Sequence, residues 1–372
     1  MLAGAVIFFV LGCVFALLIC CGFNQLRIAI NVIDASADFL RKTKRVILVP
    51  VFYFFVNIAI VGVWIFCVAC IWSIGKIVPD TSIIPQKKEV IHPEGHKNDY
   101  YYVALFMLFG LFWIIQFNQA KTAFIAMVSA TSYYFDSNRE RDGNASVCLG
   151  FKLAYMNHVG SLAFGSFIIA LVQFIRVVIL TIAEQAAKTH GENPLTRCIL
   201  NCANCCLACI EKVCDYINQA AYAYMAVSGD NFCVSAWNGF LLNLKHVLKF
   251  AWANMLAAIF VFIGKIGLVV LNCFSLYMIM KHVTHDLTEI SSLVGPMVIV
   301  AVITYLAATV ILGLFDEVVL ALMTCLAIDS DLNKDPKHGP PTFHDKVLNI
   351  YQDKGNQIQD GGWEKADANE MM

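Results

Sequence analysis

Apolar and polar positions fall along this chain in long blocks rather than in short alternations. Apolar runs occupy Met1–Cys21, Val46–Ile74, Tyr100–Ala130, Val159–Ala183, Phe250–Met280 and Val294–Leu314. Each has roughly the 20 residues that a helix needs to cross a bilayer. Strand-period alternation of the outer-membrane barrel kind is absent from the pattern. Met1–Cys21 has no basic segment before it and no obvious cleavage site, so it reads as a span and not as a signal peptide. The expected fold is all-α, a polytopic helical membrane protein with six or seven transmembrane helices. Residues 1–330 form the helical membrane domain, and 331–372, with Pro336, Pro340 and Pro341, form a flexible polar tail expected in the cytoplasm.

One stretch resists the pattern. Leu195–Val227 lies between strong spans yet carries Glu211, Lys212, Asp215, Asn218 and Gln219. At helical spacing, Cys198, Cys202, Cys205 and Cys209 make one stripe, and Glu211, Asp215, Asn218 and Tyr222 make another on the roughly opposite face. Ser228-Gly229-Asp230-Asn231 then ends the helix, with Asp230 or Asn231 placed to cap the next one. The segment is either a seventh span or a helix on the membrane surface. Basic residues help to decide, because short cytoplasmic loops collect Lys and Arg. Arg27, Arg41, Lys42, Lys44 and Arg45 mark the first inter-span loop as cytoplasmic. With seven spans the basic residues then divide about two to one in favour of the inside. With six the majority lands outside. Seven spans are therefore expected, with the chain start and the loop 75–99 outside. The sequon Asn144-Ala145-Ser146 would then lie in the cytoplasm and stay unmodified.

Composition agrees. Apolar residues make up 59% and charged residues 14%, and mean hydropathy is +0.68; a soluble domain carries about 25% charged residues. A net charge of −1 gives no nucleic-acid footprint. The 15 cysteines sit mostly in or beside apolar helices, where thiols act as small packing residues. Lipidation of Cys205, Cys206 or Cys209 is the alternative. The CxxCCxxC spacing on consecutive helical turns lacks the second pair of a zinc ribbon, so no metal and no cofactor are expected. Enzyme signatures fail too. No HExxH and no nucleophile elbow occur, Asp142-Gly143 lacks the later aspartates of a lipid phosphotransferase, and His282 and His285 form a lone HxxH. The chain is not expected to be an enzyme.

Five blocks carry a family resemblance: RIAINVIDAS (27–36), HVGSLAFGSFIIALVQFIR (158–176), CCLACIEKVCDYINQAAYAYMAVSGDNFCVSAWNGF (205–240), FIGKIG (262–267) and FDEVVLALMTCLAIDSDLN (315–333). In this order they resemble the choline transporter-like solute-carrier family. The resemblance implies a ten-span layout, of which this chain would hold about the last seven, beginning near the fourth. It also implies a membrane carrier for choline or a related organic cation, working by alternating access, in the plasma membrane or an organelle membrane. A non-transporting scaffold or lipid-interacting protein is the second reading.

Choline is a quaternary ammonium that donates no hydrogen bond, so its site needs aromatic faces and one carboxylate. Glu211, Asp215, Asn218, Tyr222 and Trp237 are the expected substrate-binding residues, Tyr222 and Trp237 because they lie in the matched block. The plainer reading of Glu211 is an ion pair with Lys212 or Arg176 that fixes helix packing. Arg176 and Lys265 are the expected intramembrane charge partners. Lys265 lies about 15 Å from either end of its span, and Glu211 is its first expected partner.

Overall fold

The computed structural model describes residues 23–73, 76–79, 89–92, 97–190, 194–283, 294–333 and 336–341. The expected first span and most of the tail lie outside them. The elements in chain order are α1 (Phe23–Lys42), α2 (Lys44–Trp72), β1 (Lys76–Pro79), β2 (Glu89–His92), α3 (Lys97–Asp136), α4 (Val147–Lys152), a π-helical turn (Leu153–Asn157), α5 (Val159–His190), α6 (Pro194–Ser228), α7 (Phe232–Lys245), α8 (Val247–Val283) and α9 (Val294–Asn333). Among the described residues, five segments are long and apolar enough to cross a membrane: Lys44–Ile71, Tyr102–Asp136, Val159–Gln185, Val247–His282 and Val294–Asn333. The protein is a multi-pass helical membrane protein. One local departure from an all-helical chain is a small antiparallel ribbon, β1 with β2, within the loop expected at 75–99; Lys76 pairs with His92 and Pro79 with Glu89.

The chain divides into two compact units. The first comprises residues 1–51, 123–157 and 219–372, and the second comprises 52–122 and 158–218. In the first unit the core is the second half of α9 against the second half of α3. Every residue from Val318 to Ala327 is buried, as is every residue from Ala123 to Ala130. This explains why α9 outruns the span expected to stop at Leu314. Asp316 and Glu317 read as a span end, but the helix continues into a run enclosed by protein instead of lipid. α1 packs on α8 and α9 through Ile28, Ala29, Val32, Ala35, Ser36 and Phe39, which recur at helical spacing on one face. Ser146 caps α4 by accepting the Leu149 N–H. Gly150 lies so close to Ile125 that an added Cβ would sit 2.8 Å from its carbonyl oxygen.

The ends of these helices fix their directions. Tyr134, near the end of α3, donates its hydroxyl to Asp329 near the end of α9, 3.3 Å away. The Gly339 N–H donates to the Tyr134 carbonyl at 3.1 Å. Lys42 at the end of α1 pairs with Asp142 at 2.7 Å, and Lys245 at the end of α7 pairs with Asp331 at 2.9 Å. His246 also reaches Asp331, at 3.1 Å. Burial, aided by Lys249, holds its imidazole below the ordinary value against the pull of Asp331, so Lys245 supplies the cation of this cluster. The ends of α3 and α9 thus share one side. Between them the chain runs through α5, α6, α8 and α9; an even number of crossings results when α6 crosses along with the other three, so α6 is expected to cross.

The second unit agrees. Contacts between α5 and α6 pair Gly165 with Asn218 and Arg176 with both Glu211 and Asn204. As one residue number rises the other falls, so the two helices run antiparallel along most of a span. At 35 residues, α6 is about 52 Å long. Among its polar groups, Asn204, Glu211 and Asn218 bond to α5, the kind of neighbour against which membrane proteins accommodate them. A glycosylation acceptor inserted between Ser228 and Asn231 is expected to stay unmodified, while one inserted beside β1 is modified. Modification at both sites would show that α6 does not cross.

Candidate functional site

A polar chain runs through the membrane-spanning helices of the second unit. On α3, Gln116 donates its amide to Gln173 of α5 at 2.9 Å. Gln173 in turn donates to Glu211 Oε1 on α6 at 3.0 Å. Arg176 donates through NH1 to Glu211 Oε2 at 2.8 Å and through Nε to Asn204 at 3.0 Å. Helical spacing makes this possible. Gln173 and Arg176 are three residues apart on α5, and Asn204 and Glu211 seven apart on α6, so each pair shares a face. Both side chains of the ion pair are largely covered, with 34% of Arg176 and 22% of Glu211 exposed. Each carboxylate oxygen of Glu211 has a donor, and its charge is balanced by the guanidinium. At membrane depth an unbalanced charge is costly, and Arg176 is the cation that the antiparallel neighbour brings to it.

The expected acidic stripe resolves into residues with different surroundings. Asn218 is buried and donates its amide to the Gly165 carbonyl at 2.7 Å. Asp215, one turn after Glu211, is exposed. Tyr222 belongs to the first unit, where it is buried with its ring centroid 6.0 Å from that of Phe232. Trp237 is 64% exposed on α7. Lys265 lies over the Tyr305 ring, 5.9 Å from its centroid, and within electrostatic reach of Asp316 on α9. The opposite stripe is exposed at Cys202, Cys205 and Cys209. Among the described residues no group of three His, Cys, Asp or Glu side chains could hold a metal ion.

Sequence reasoning did not single out Lys121 as a site residue. In the sequence it is one of four polar residues, with Gln116, Asn118 and Gln119, in the middle of the third apolar run. Lys121 is 7% exposed. Its ammonium lies 4.2 Å from the Phe117 ring centroid and 5.4 Å from that of Tyr53 on α2. Beside it, Asn118 donates its amide to Asn57 at 2.8 Å. The available signal was the four-residue step from Phe117 to Lys121, since long helical side chains lean back over the preceding turn. An alkylammonium held against ring faces is the arrangement by which proteins stabilise organic cations. Here the two rings hold the ammonium of the protein's own Lys121.

Residues 6–331 match the profile of a family described as plasma-membrane choline transporter. Choline transporter-like protein 1 of Mus musculus is 30% identical over 272 residues, covering 73% of this chain and 41% of the mouse protein. Its Xenopus laevis counterpart is 32% identical over 248 residues, 66% of this chain and 37% of its own length. Choline transporter-like protein 2 of Dictyostelium discoideum is 25% identical over 358 residues, 95% of this chain and 54% of its own. The chain thus spans between 37% and 54% of the length of these relatives.

Proposed function

The chain belongs to the plasma-membrane choline transporter family, and from that premise we propose that it takes part in carrying choline or a related organic cation across the membrane. The family match over residues 6–331 carries this reading. The polar chain through α3, α5 and α6 supports it, because ionisable groups within spans characteristically mark substrate or ion pathways. Within the acidic stripe the reading assigns different tasks. Glu211, held by Arg176 and Gln173, positions α5 against α6. Asn218 ties the same helices together near Gly165. Asp215, the exposed carboxylate, is the group that attracts the substrate ammonium. Tyr222 and Trp237 lie in the other unit and are assigned no share in that task.

The test is uptake of labelled choline into proteoliposomes holding this chain. Asp215→Asn is expected to raise the choline concentration for half-maximal uptake about tenfold, the equivalent of losing some 1.4 kcal/mol of binding, with reconstituted protein unchanged. Uptake no greater than in empty liposomes would leave the chain a membrane scaffold or lipid-interacting protein. An unchanged half-maximal concentration would remove Asp215 from the path.

A further inference from the structure

α7 is a helix turned inside out. Its buried positions are Phe232, Ser235, Gly239 and Asn243, which recur at helical spacing and are mostly small or polar. Its exposed positions are apolar: Val234 at 43%, Trp237 at 64%, Phe240 at 39%, Leu241 at 43% and Leu244 at 60%. A face of this kind against water would be a contiguous apolar patch of the sort that marks a protein or membrane contact.

The position of α7 says which contact. With 14 residues it is about 21 Å long, short of the roughly 30 Å hydrocarbon layer. It starts from the turn Ser228–Asn231, where Gly229 takes the left-handed φ of 74° that glycine adopts without strain. The Asn231 side chain caps it by accepting the Val234 N–H. It ends at Lys245, paired with Asp331 on the same side as the ends of α3 and α9. Both ends of α7 therefore belong to one side of the membrane.

Its direction follows from two contacts with α6. The Phe232 ring lies 6.0 Å from Tyr222. Gly239 lies against Ala220, so that an added Cβ would stand 2.7 Å from the Ala220 carbonyl oxygen and 3.3 Å from Tyr224 Cβ. Seven residues along α7, about 10 Å, correspond to two residues along α6, about 3 Å. α7 crosses the end of α6 at a steep angle. With α6 expected to cross the membrane, α7 lies close to the membrane plane.

We propose that α7 is an interfacial helix whose partner is the lipid bilayer itself, with Val234, Trp237, Phe240, Leu241 and Leu244 set into the boundary between headgroups and acyl chains. Past Lys245 and His246, Val247 and Leu248 at the start of the spanning helix α8 are exposed as well, so the chain passes from this face directly into a helix that lies in lipid. Amphipathic helices of this kind bury their apolar face about 5–10 Å into the headgroup boundary. Trp237 suits that depth, since its ring is apolar and its indole N–H is polar.

The experiment uses the full chain in phosphatidylcholine vesicles whose acyl chains carry bromine either near the glycerol or near the chain ends. The difference in emission between the wild type and Trp237→Phe isolates Trp237. Shallow bromine is expected to remove the larger share of that emission, and deep bromine the smaller. Leu241→Trp adds a second reporter on the same face while leaving Trp237 in place, and should show the same order. Emission from both reporters that neither bromine quenches would overturn the proposal, whether the face meets water or, if quenching returns on dilution of protein in lipid, a second copy of the chain. Stronger quenching by deep bromine would overturn it as well, because the helix would then not lie at the interface.

Discussion

Replacing Asp329 by Ala is expected to cost the first unit about 2–3 kcal/mol, the scale for removing a buried acceptor of several hydrogen bonds. The Asp329 side chain is 1% exposed and gathers donors from three places. Tyr134 Oη reaches it from α3 at 3.3 Å. Asn333 Nδ2 reaches it from the next turn of α9 at 2.8 Å. The His338 backbone N–H reaches it from beyond the helix at 3.0 Å, with His338 Nδ1 at 3.4 Å. Without the carboxylate these donors lose their acceptor, at about 1–3 kcal/mol for the buried Tyr134 hydroxyl and less for the partly exposed Asn333 and His338. The segment 336–341 also loses its hold on the helix ends, although Phe135 keeps its edge-on contact with His338, centroids 5.4 Å apart. Two controls separate the parts. Tyr134→Phe removes one donor and should cost about 1 kcal/mol. His338→Ala keeps the backbone N–H and should cost less than Asp329→Ala. The measurements are the thermal midpoint in detergent and the rate at which protease cuts near His338. Asp329→Ala with the wild-type midpoint and cutting rate would dismiss the latch.

The second large effect is at the α5–α6 ion pair. Arg176→Leu is expected to destabilise the second unit by about 2–3 kcal/mol, somewhat below the cost of breaking a fully buried pair because both side chains keep some exposure. The loss comes less from the missing attraction than from Glu211, left in a membrane-spanning helix with only Gln173 as a donor. Glu211→Leu alone leaves an uncompensated guanidinium and should also destabilise. The double change to Leu removes both charges. It should recover much of the stability, since a buried pair and a well-packed apolar pair are often nearly equivalent. A cycle of these variants measures the coupling, read as the fraction of monodisperse protein after heating in detergent. Additive single effects would mean that the two charges do not depend on each other. In the uptake assay the double variant also separates positioning from binding: if Glu211 only positions helices, transport survives.

The places where helices cross the membrane were legible from the sequence. Apolar runs answer to lipid, and Val46–Ile74 or Val159–Ala183 could hardly be stable anywhere else. The polar stripe on α6 could be read too, since helical spacing is a local property. Legibility ended where a segment's surroundings are protein. The last span was expected to stop at Leu314, yet Val318–Ala327 continues it because that run is buried in protein, with Cys325 against Thr131 of α3. Lys121 looked like one polar residue among several until Tyr53 and Phe117 were seen around it.

What the sequence determined by itself is the class of the protein, its membrane-spanning helices and its family, because hydrophobic length and motif order do not depend on which helix packs on which. What only the tertiary structure decided is the partner of each polar group. Glu211 could have met Lys265, Lys212 or Arg176 on sequence alone, and the antiparallel run of α5 beside α6 gives it Arg176. The expectation that α6 crosses likewise gains its argument from two ends that meet at Tyr134 and Asp329, far apart in sequence. The reversed face of α7 is invisible in its composition, because a helix with apolar residues on one side states only that the side is covered. The crossing of α7 over α6 at Gly239 and Ala220 turns that side away from the protein. In a membrane protein the solvent selects the spans, but the identity of each neighbour is a three-dimensional fact, set by which helices approach closely enough to satisfy a charge that lipid cannot.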